Sequence, residues 1–457
     1  MARLNEPDAP RSPYKPGNGL EPPYLGDRGA QLERFGAFLA DPSTPHNVVV
    51  TGLRGVGKTV LLQRYSIEAR EAGWLVADRE FSEADAEPSM FAQRVLADLT
   101  RLTRDLSLSR RLKDAAGGAV DRVTDLLGNL TVSYEGLELG YSPGRRSSKT
   151  PKQMLDDDLR DALREVGRLC QKSDHTGFIL QYDEFQVVKE ERRELTLSAL
   201  LAATAAVQRE GIPVMLVLCG LPTILENLGR SKSYSERMFT VEHIGHLHPP
   251  EDRLAFTGPA EVRGRRFTDQ VVEAVLLDTQ GYPFFIQLYG DALWKGTNAQ
   301  PVIAEDDFRR LRPGIVDGLD RSFFESRYRR ASAREQRVLR AMAAGGGEAS
   351  TIEDLRQRLQ MSNSELQPLL RFLVEKGLIY RPTRGHLAFT APMFGAFLRR
   401  DICKSCGSSR TEGHAAYSCS SRSMIKRSTK VVSARTSATW WGALTQRQRT
   451  WAASSSL

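Results

Sequence analysis

Eight residues, Gly52-Leu53-Arg54-Gly55-Val56-Gly57-Lys58-Thr59, have the types and the spacing needed to hold a row of phosphates. Glycines let a turn tighten and aim backbone N–H groups inward at phosphate oxygens. Lys58 supplies a point charge for the β- and γ-phosphates, and the Thr59 hydroxyl is a ligand type suited to Mg2+. The pattern G-x-x-x-x-G-K-[ST] carries this meaning only between a strand and a helix. Both flanks are present: Val48-Val49-Val50 is a short β-branched run, and Val60, Leu61, Leu62 and Tyr65 fall at helical spacing. The start of that helix adds partial positive charge at the same point. A glycine-rich turn with a chance lysine is the plain alternative, and the two flanks argue against it. The expectation is a nucleotide held by residues 52–60.

Hydrolysis would need a carboxylate site as well. Phe178-Ile179-Leu180-Gln181-Tyr182 reads as a buried strand ending in Asp183 and Glu184. Parallel sheets present ligand-facing residues at the carboxyl ends of their strands. Asp183 could there share the Mg2+ that Thr59 touches, and Glu184 could orient or deprotonate an attacking water. An acidic pair at a surface turn is the alternative. Gln181 interrupts the apolar run, so one face of this strand is expected to be less buried.

The elements that must position these residues follow from periodicity. Strands are expected at 48–51, 74–78, 178–184 and 213–219, with helices at 59–72, 90–104, 154–170 and 195–209 between them. That alternation specifies a parallel sheet with right-handed crossovers. Residues 1–23 are proline-rich and read as a flexible arm. The α/β core spans 24–240 and carries an insertion at 106–150, with a hairpin-like alternation at 131–139. Residues 241–330 read as a helical lid without strands. Residues 331–400 combine helices with a hairpin turning at Pro382–Gly385, the pattern of a winged helix. In its last helix, two starts compete: Ser362 with Glu365, and Ser364 with Gln367. Pro368 favours the later one, because proline suits only a first turn. Residues 401–457 are rich in Ser and Arg, and a disordered basic tail is expected there.

The net charge of +8 does not by itself point to nucleic acid, because residues 401–457 alone carry +7. No apolar run is long enough to span a bilayer, so no membrane partner is expected. The N-terminal stretch lacks the apolar core of a signal peptide, and five cysteines, an odd number, suit reduced thiols. A cytoplasmic location is the resulting expectation.

Gly52–Thr59, then Phe178–Glu184, Leu218-Cys219-Gly220-Leu221-Pro222 and Gly281-Tyr282-Pro283-Phe284-Phe285 occur in an order that resembles P-loop ATPases of the AAA+/STAND group. More narrowly, the chain is similar over residues 22–400 to bacterial ATP-binding proteins related to origin-recognition ATPases and to archaeal STAND-type ATPases. The resemblance implies an α/β P-loop NTPase parallel-sheet core with a helical lid and a C-terminal winged helix, binding ATP with Mg2+ and hydrolysing it. Leu25-Gly26-Asp27-Arg28 is similar to the box that borders adenine, which implies that Gly26 and Arg28 line the base pocket. Gly281-x-Pro283 resembles the lid motif whose proline touches the base. Many relatives carry an arginine there that contacts phosphate. Residues 281–285 have none, a departure that favours the STAND-like reading. Cys219 and Gly220 stand where relatives offer a polar sensor, leaving Thr223 as a substitute. Arg237 falls where relatives carry an arginine finger for a neighbouring subunit, which implies a homo-oligomer. Arg230 is the runner-up, and an ion-paired surface arginine is the alternative reading. On the winged helix, Arg381, Arg384 and His386 are placed for phosphates of duplex DNA, while Glu365, Gln367, Arg371 and Glu375 form a mixed outer face. A DNA-associated ATPase and a slow regulatory switch acting on protein partners both stay open.

Overall fold

The structure, a computed structural model, describes residues 11–108, 123–125, 127–128, 151–173, 175–188, 196–231, 235–297, 300–345 and 349–405. The insertion expected at 106–150, with its hairpin, lies almost wholly outside these residues, as does the tail beyond 405.

Five strands, β1 (Val48–Thr51), β2 (Trp74–Glu80), β3 (Gly177–Asp183), β4 (Val214–Gly220) and β5 (Thr240–His243), form one sheet in the order β2-β3-β4-β1-β5. Every pairing in it is parallel. Helices α1 (Gly29–Ala40) and α2 (Lys58–Glu71) pack on one face, and α3 (Pro88–Leu108), α4 (Pro151–Lys172) and α5 (Thr196–Arg209) on the other. Successive side chains of a strand point to opposite faces. Leu216 and Leu218 accordingly join the α3–α5 side, and Met215, Val217 and Cys219 the α1–α2 side. A sheet covered on both faces needs continuous apolar strands, which is what β1, β3 and β4 show.

Gln181, expected to loosen one face of β3, is buried instead. Its Nε2 donates to Ser66 Oγ of α2 at 2.8 Å, and that bond makes a buried amide tolerable. The sheet also has a strand that periodicity does not reveal. In β5 the apolar Val241 faces out, while the buried Glu242 pairs with Arg34 of α1. Its polarity is the reverse of the usual inward-apolar pattern. Helices α6 (Thr223–Ser231) and α7 (Ser235–Met238) lead into it.

Four helices follow, α8 (Glu251–Val262), α9 (Asp269–Thr279), α10 (Pro283–Gly296) and α11 (Glu305–Leu319). Two-residue strands β6 (Arg266–Phe267) and β7 (Val302–Ile303) pair in parallel among them, where none was expected. A π-turn at Asp320–Phe324 and the short α12 (Glu325–Arg329) complete this region. The N-terminal segment, expected to be a free arm, is pinned to it. Tyr14 is buried, donates to the Phe256 carbonyl, and occupies the space left by Gly290. Proline-rich composition sets the extended path, but one aromatic anchor removes the freedom.

The last region contains α13 (Ala333–Ala344), β8 (Ala349–Thr351), α14 (Ile352–Leu359), α15 (Asn363–Glu375), β9 (Ile379–Tyr380), β10 (His386–Phe389) and α16 (Phe394–Ser405). Its three strands form an antiparallel sheet in the order β8-β10-β9. Ser362 caps α15 in a box with Glu365, so the helix starts earlier than Pro368 suggested. The reciprocal cap bonds at Ser362 outweigh the one ladder bond that Pro368 cannot make. A second box at Ser332 and Glu335 starts α13. Glu335 is buried and also accepts from Lys376 Nζ at 2.6 Å.

Burial would raise the Glu335 carboxyl, but the bonds from Lys376 and from the Ser332 N–H outweigh it and hold the group below its ordinary range. A depressed carboxylate contributes stability that is complete above the unfolded value, about pH 4.3, and is lost as pH falls through the lower folded one. Replacing Lys376 by Met leaves that carboxylate buried without its cation. The change should lower stability by about 1–3 kcal/mol in chemical denaturation at neutral pH and make the fall toward acid shallower.

Candidate nucleotide site

The carboxyl ends of β1 and β3 meet at one edge of the sheet, with β4 between them. From β1 the chain enters the glycine turn and then α2. Gly55 and Gly57 have φ of +82° and +92°, backbone that a side chain resists. Thr59, in the first turn of α2, donates from Oγ1 to Asp183 Oδ2 at 2.6 Å. Asp183 Oδ1 accepts the Glu184 N–H at 2.8 Å, and Glu184 itself has a φ of +52°. Lys58 is buried and donates to the Leu53 carbonyl at 3.1 Å. The expected hydroxyl and carboxylate therefore meet directly, while the ammonium rests on a carbonyl of the loop.

Above them lies a cleft of about 620 Å³, within the usual size of a small-molecule site. It is lined by Arg54, Gly55, Val56, Gly57, Lys58, Thr59 and Val60 on the loop side, and by Glu184 from the end of β3. Gly26, Arg28 and Pro283 line it too. Gly52 and Leu53 lie outside its wall. A Cβ on Gly52 would come within 2.2 Å of the Ile244 carbonyl, and Leu53 serves through its own carbonyl. Arg28 is buried and donates to the carbonyls of Val56 at 2.9 Å and Gly245 at 3.0 Å, bracing the loop from behind. Gly26 passes within 3.0 Å of Glu251 Oε2, measured to where a Cβ would stand, so a side chain there would crowd the entrance to α8. Thr223 and Arg237 are not in the wall. Arg237 is exposed just before β5, at the amino ends of the strands and therefore at the opposite edge from its own phosphate loop.

Several lining residues carry no sequence signal for this role. Lys15, Asn18 and Leu20 line the cleft from the pinned N-terminal segment, whose composition reads only as a linker. Tyr282, fully buried, donates to the Arg54 carbonyl, and burial pushes its hydroxyl up to about 12. Arg327 of α12 lines the cleft, stacks on Phe323 at 3.7 Å, and interacts with Tyr282 behind the wall. Burial pulls its pKa below the ordinary value. Among the described residues, neither Arg54 nor Arg327 has a carboxylate within ion-pair distance. Two half-buried positive charges without a counter-ion make this wall complementary to an anion. Glu80, at the end of β2, is raised by burial and then by Asp183 and Glu184.

The AAA ATPase domain family matches residues 27–217, and a domain of unknown function (DUF8462) matches residues 321–398. No curated protein matches the sequence. Among solved structures, a Walker-type ATPase of Pyrococcus abyssi is similar with a TM-score of 0.54 and 16% identity, covering 82% of this chain and 96% of that one. The Orc1 protein of Aeropyrum pernix, solved in complex with DNA, aligns with a TM-score of 0.41 and 15% identity over 84% of this chain and 95% of that one. The RuvB branch-migration motor of Thermotoga maritima gives 0.38 and 12%, over 84% and 96%. The parallel sheet and its loop form a P-loop NTPase α/β core, within the residues that match the AAA ATPase domain. Among the described residues no helix is long and apolar enough to cross a membrane.

Two glycines of the loop should differ in their tolerance of a methyl group. Both have positive φ, but a Cβ on Gly55 would meet the Tyr282 hydroxyl at 2.6 Å, whereas Gly57 has nothing within 4 Å. In titrations with a fluorescent ATP analogue, Gly55→Ala should weaken binding more than Gly57→Ala and should also lower the melting temperature more.

Proposed function

We propose that this protein binds ATP with Mg2+ in the cleft and hydrolyses it, and that the C-terminal region couples the nucleotide state to a partner. The observation that carries the reading is the 2.6 Å contact between Thr59 and Asp183 beside the phosphate loop. A hydroxyl and a carboxylate oxygen held together next to backbone N–H groups suit Mg2+ carrying nucleotide phosphates. When bound, the ion would neutralise charge on the β- and γ-phosphates.

The chain's own residues supply the rest. Lys58 leaves the Leu53 carbonyl for the phosphates, and the amides of residues 55–59 cradle them. Glu184 takes a proton from water as the water oxygen attacks the γ-phosphorus. The bond from that phosphorus to the bridging oxygen breaks, releasing ADP and phosphate. Gly26, Arg28 and Pro283 border the base. Arg54 and Arg327 balance the charge of the phosphates. Arg237 faces away from its own cleft, so its role as a finger belongs to a neighbouring subunit in a homo-oligomer, where such an arginine raises turnover by about 10³–10⁵.

Residues 331–400 act as a winged helix. Arg381 and Arg384 are exposed on the turn between β9 and β10, and His386, exposed as well, opens β10, which favours the phosphates of duplex DNA. The outer face of α15 supports a second reading, a STAND-type switch binding protein. It mixes Glu365, Arg371 and Glu375 with Phe372, which is 41% exposed. The buried thiols Cys170 and Cys219 suit a reducing, cytoplasmic setting.

Three variants test the site. Lys58→Ala should abolish ATP binding. Glu184→Gln should bind ATP normally and lose about 10²–10⁴-fold in turnover. Arg327→Ala should lose about tenfold or more in ATP affinity, the scale of a charge-assisted hydrogen bond. Equilibrium binding and phosphate release read all three. Duplex DNA binding that weakens with salt and with Arg381→Ala/Arg384→Ala would select the first partner class over the second.

A further inference from the structure

Gln186 lies two residues beyond Glu184, in the short turn Phe185–Val187, and lines the cleft. Its side-chain amide is held at both ends. The Oε1 accepts the backbone N–H of Leu221, just past β4, at 2.9 Å. A backbone N–H needs an oxygen opposite it, so this bond fixes which way round the amide lies. The Nε2 then points the other way, and it donates to Glu184 Oε2. The seat is narrow: a Cβ on Gly220 would stand 2.4 Å from the Gln186 Oε1. The backbone is held as well, since Asn227 Nδ2 donates to the Gln186 carbonyl at 3.2 Å. Glu184 meanwhile occupies left-handed backbone, which a glutamate keeps only where its surroundings impose it.

We propose that Gln186 is a positioning residue for ATP hydrolysis, aiming the Glu184 carboxylate and tying it to the end of β4. The inference rests on Glu184 being the proton acceptor of the reading above. A glutamate on a turn samples several rotamers, and a carboxylate displaced by about 1 Å can cost on the order of 10²-fold in rate. The fixed amide selects one rotamer without neutralising the carboxylate. Because it touches neither the phosphate loop nor Lys58 in any described hydrogen bond, Gln186 should govern turnover and not ATP affinity.

The test uses the full chain and a double-mutant cycle. Gln186→Met keeps the length and removes the donor. Gln186→Glu keeps the acceptor for Leu221 and sets a like charge against Glu184, so it tests the same bond if the methionine variant disturbs the turn. Both should lower kcat about tenfold or more with the ATP Kd within about twofold of wild type, the glutamate more severely. In a Glu184→Gln background, Gln186→Met should cause no further loss, because there is no carboxylate left to aim. Unchanged kcat in both single variants overturns the proposal, and so does an equal loss in the two backgrounds. A Glu184→Gln enzyme turning over at the wild-type rate instead overturns the assignment of Glu184 itself. A dead Glu184→Gln beside a fully active Gln186→Met overturns only the role of Gln186.

Discussion

The structure depends on a single register: the carboxyl ends of β1 and β3 must finish level, with β4 paired to both. Val50 pairs with Cys219 and Tyr182 with Leu218, so the three strands stop together. Only then does Thr59, in the first turn of α2, reach Asp183 across the intervening strand. A slip of one residue would turn Asp183 to the other face of the sheet and separate the two oxygens. Within the uniformly buried β3, Gln181 marks the register, because a slipped strand would lose its bond to Ser66 of α2.

From this edge, contacts extend to the C-terminal region. The π-turn at 320–324 directs Phe323 and Phe324 to different surroundings. Phe323 lines the cleft and stacks with Phe284, while Phe324 packs against Phe394 and Phe397 of α16. Single π-turns are frequent where a helix serves a site, because the extra residue shifts which side chains face it. The turn after α15 also lies against the core. A Cβ on Gly377 would stand 3.6 Å from Leu221 and 3.7 Å from Arg54, so the residue that anchors Gln186 and a residue of the phosphate loop share one neighbour.

Much of the cleft's loop edge was legible in the sequence because the elements that build it are local. The loop, Asp183 and Glu184 each follow an apolar run whose length and neighbours specify a strand, and helices α8 to α11 follow from their spacing. What was not legible comes from polar segments whose partners are distant. Tyr14 meets Phe256 and Gly290, Arg34 meets Glu242, and Arg327 is one of several arginines in a charged stretch. No local period separates the one at the cleft wall from the exposed ones. The free arm gave way to a pinned segment for the same reason. Gln181 misled because a buried amide is acceptable once Ser66 is there to receive it.

The claim most exposed to experiment is that the Thr59 hydroxyl and the Asp183 carboxylate hold one metal against the nucleotide. Mn2+ can replace Mg2+ and be followed by electron paramagnetic resonance as it is titrated into the protein with ATP. Tight Mn2+ binding that requires ATP, weakened at least tenfold by Asp183→Asn and also weakened by Thr59→Val, is the predicted result. Mn2+ binding that is equally tight in both variants would contradict the account.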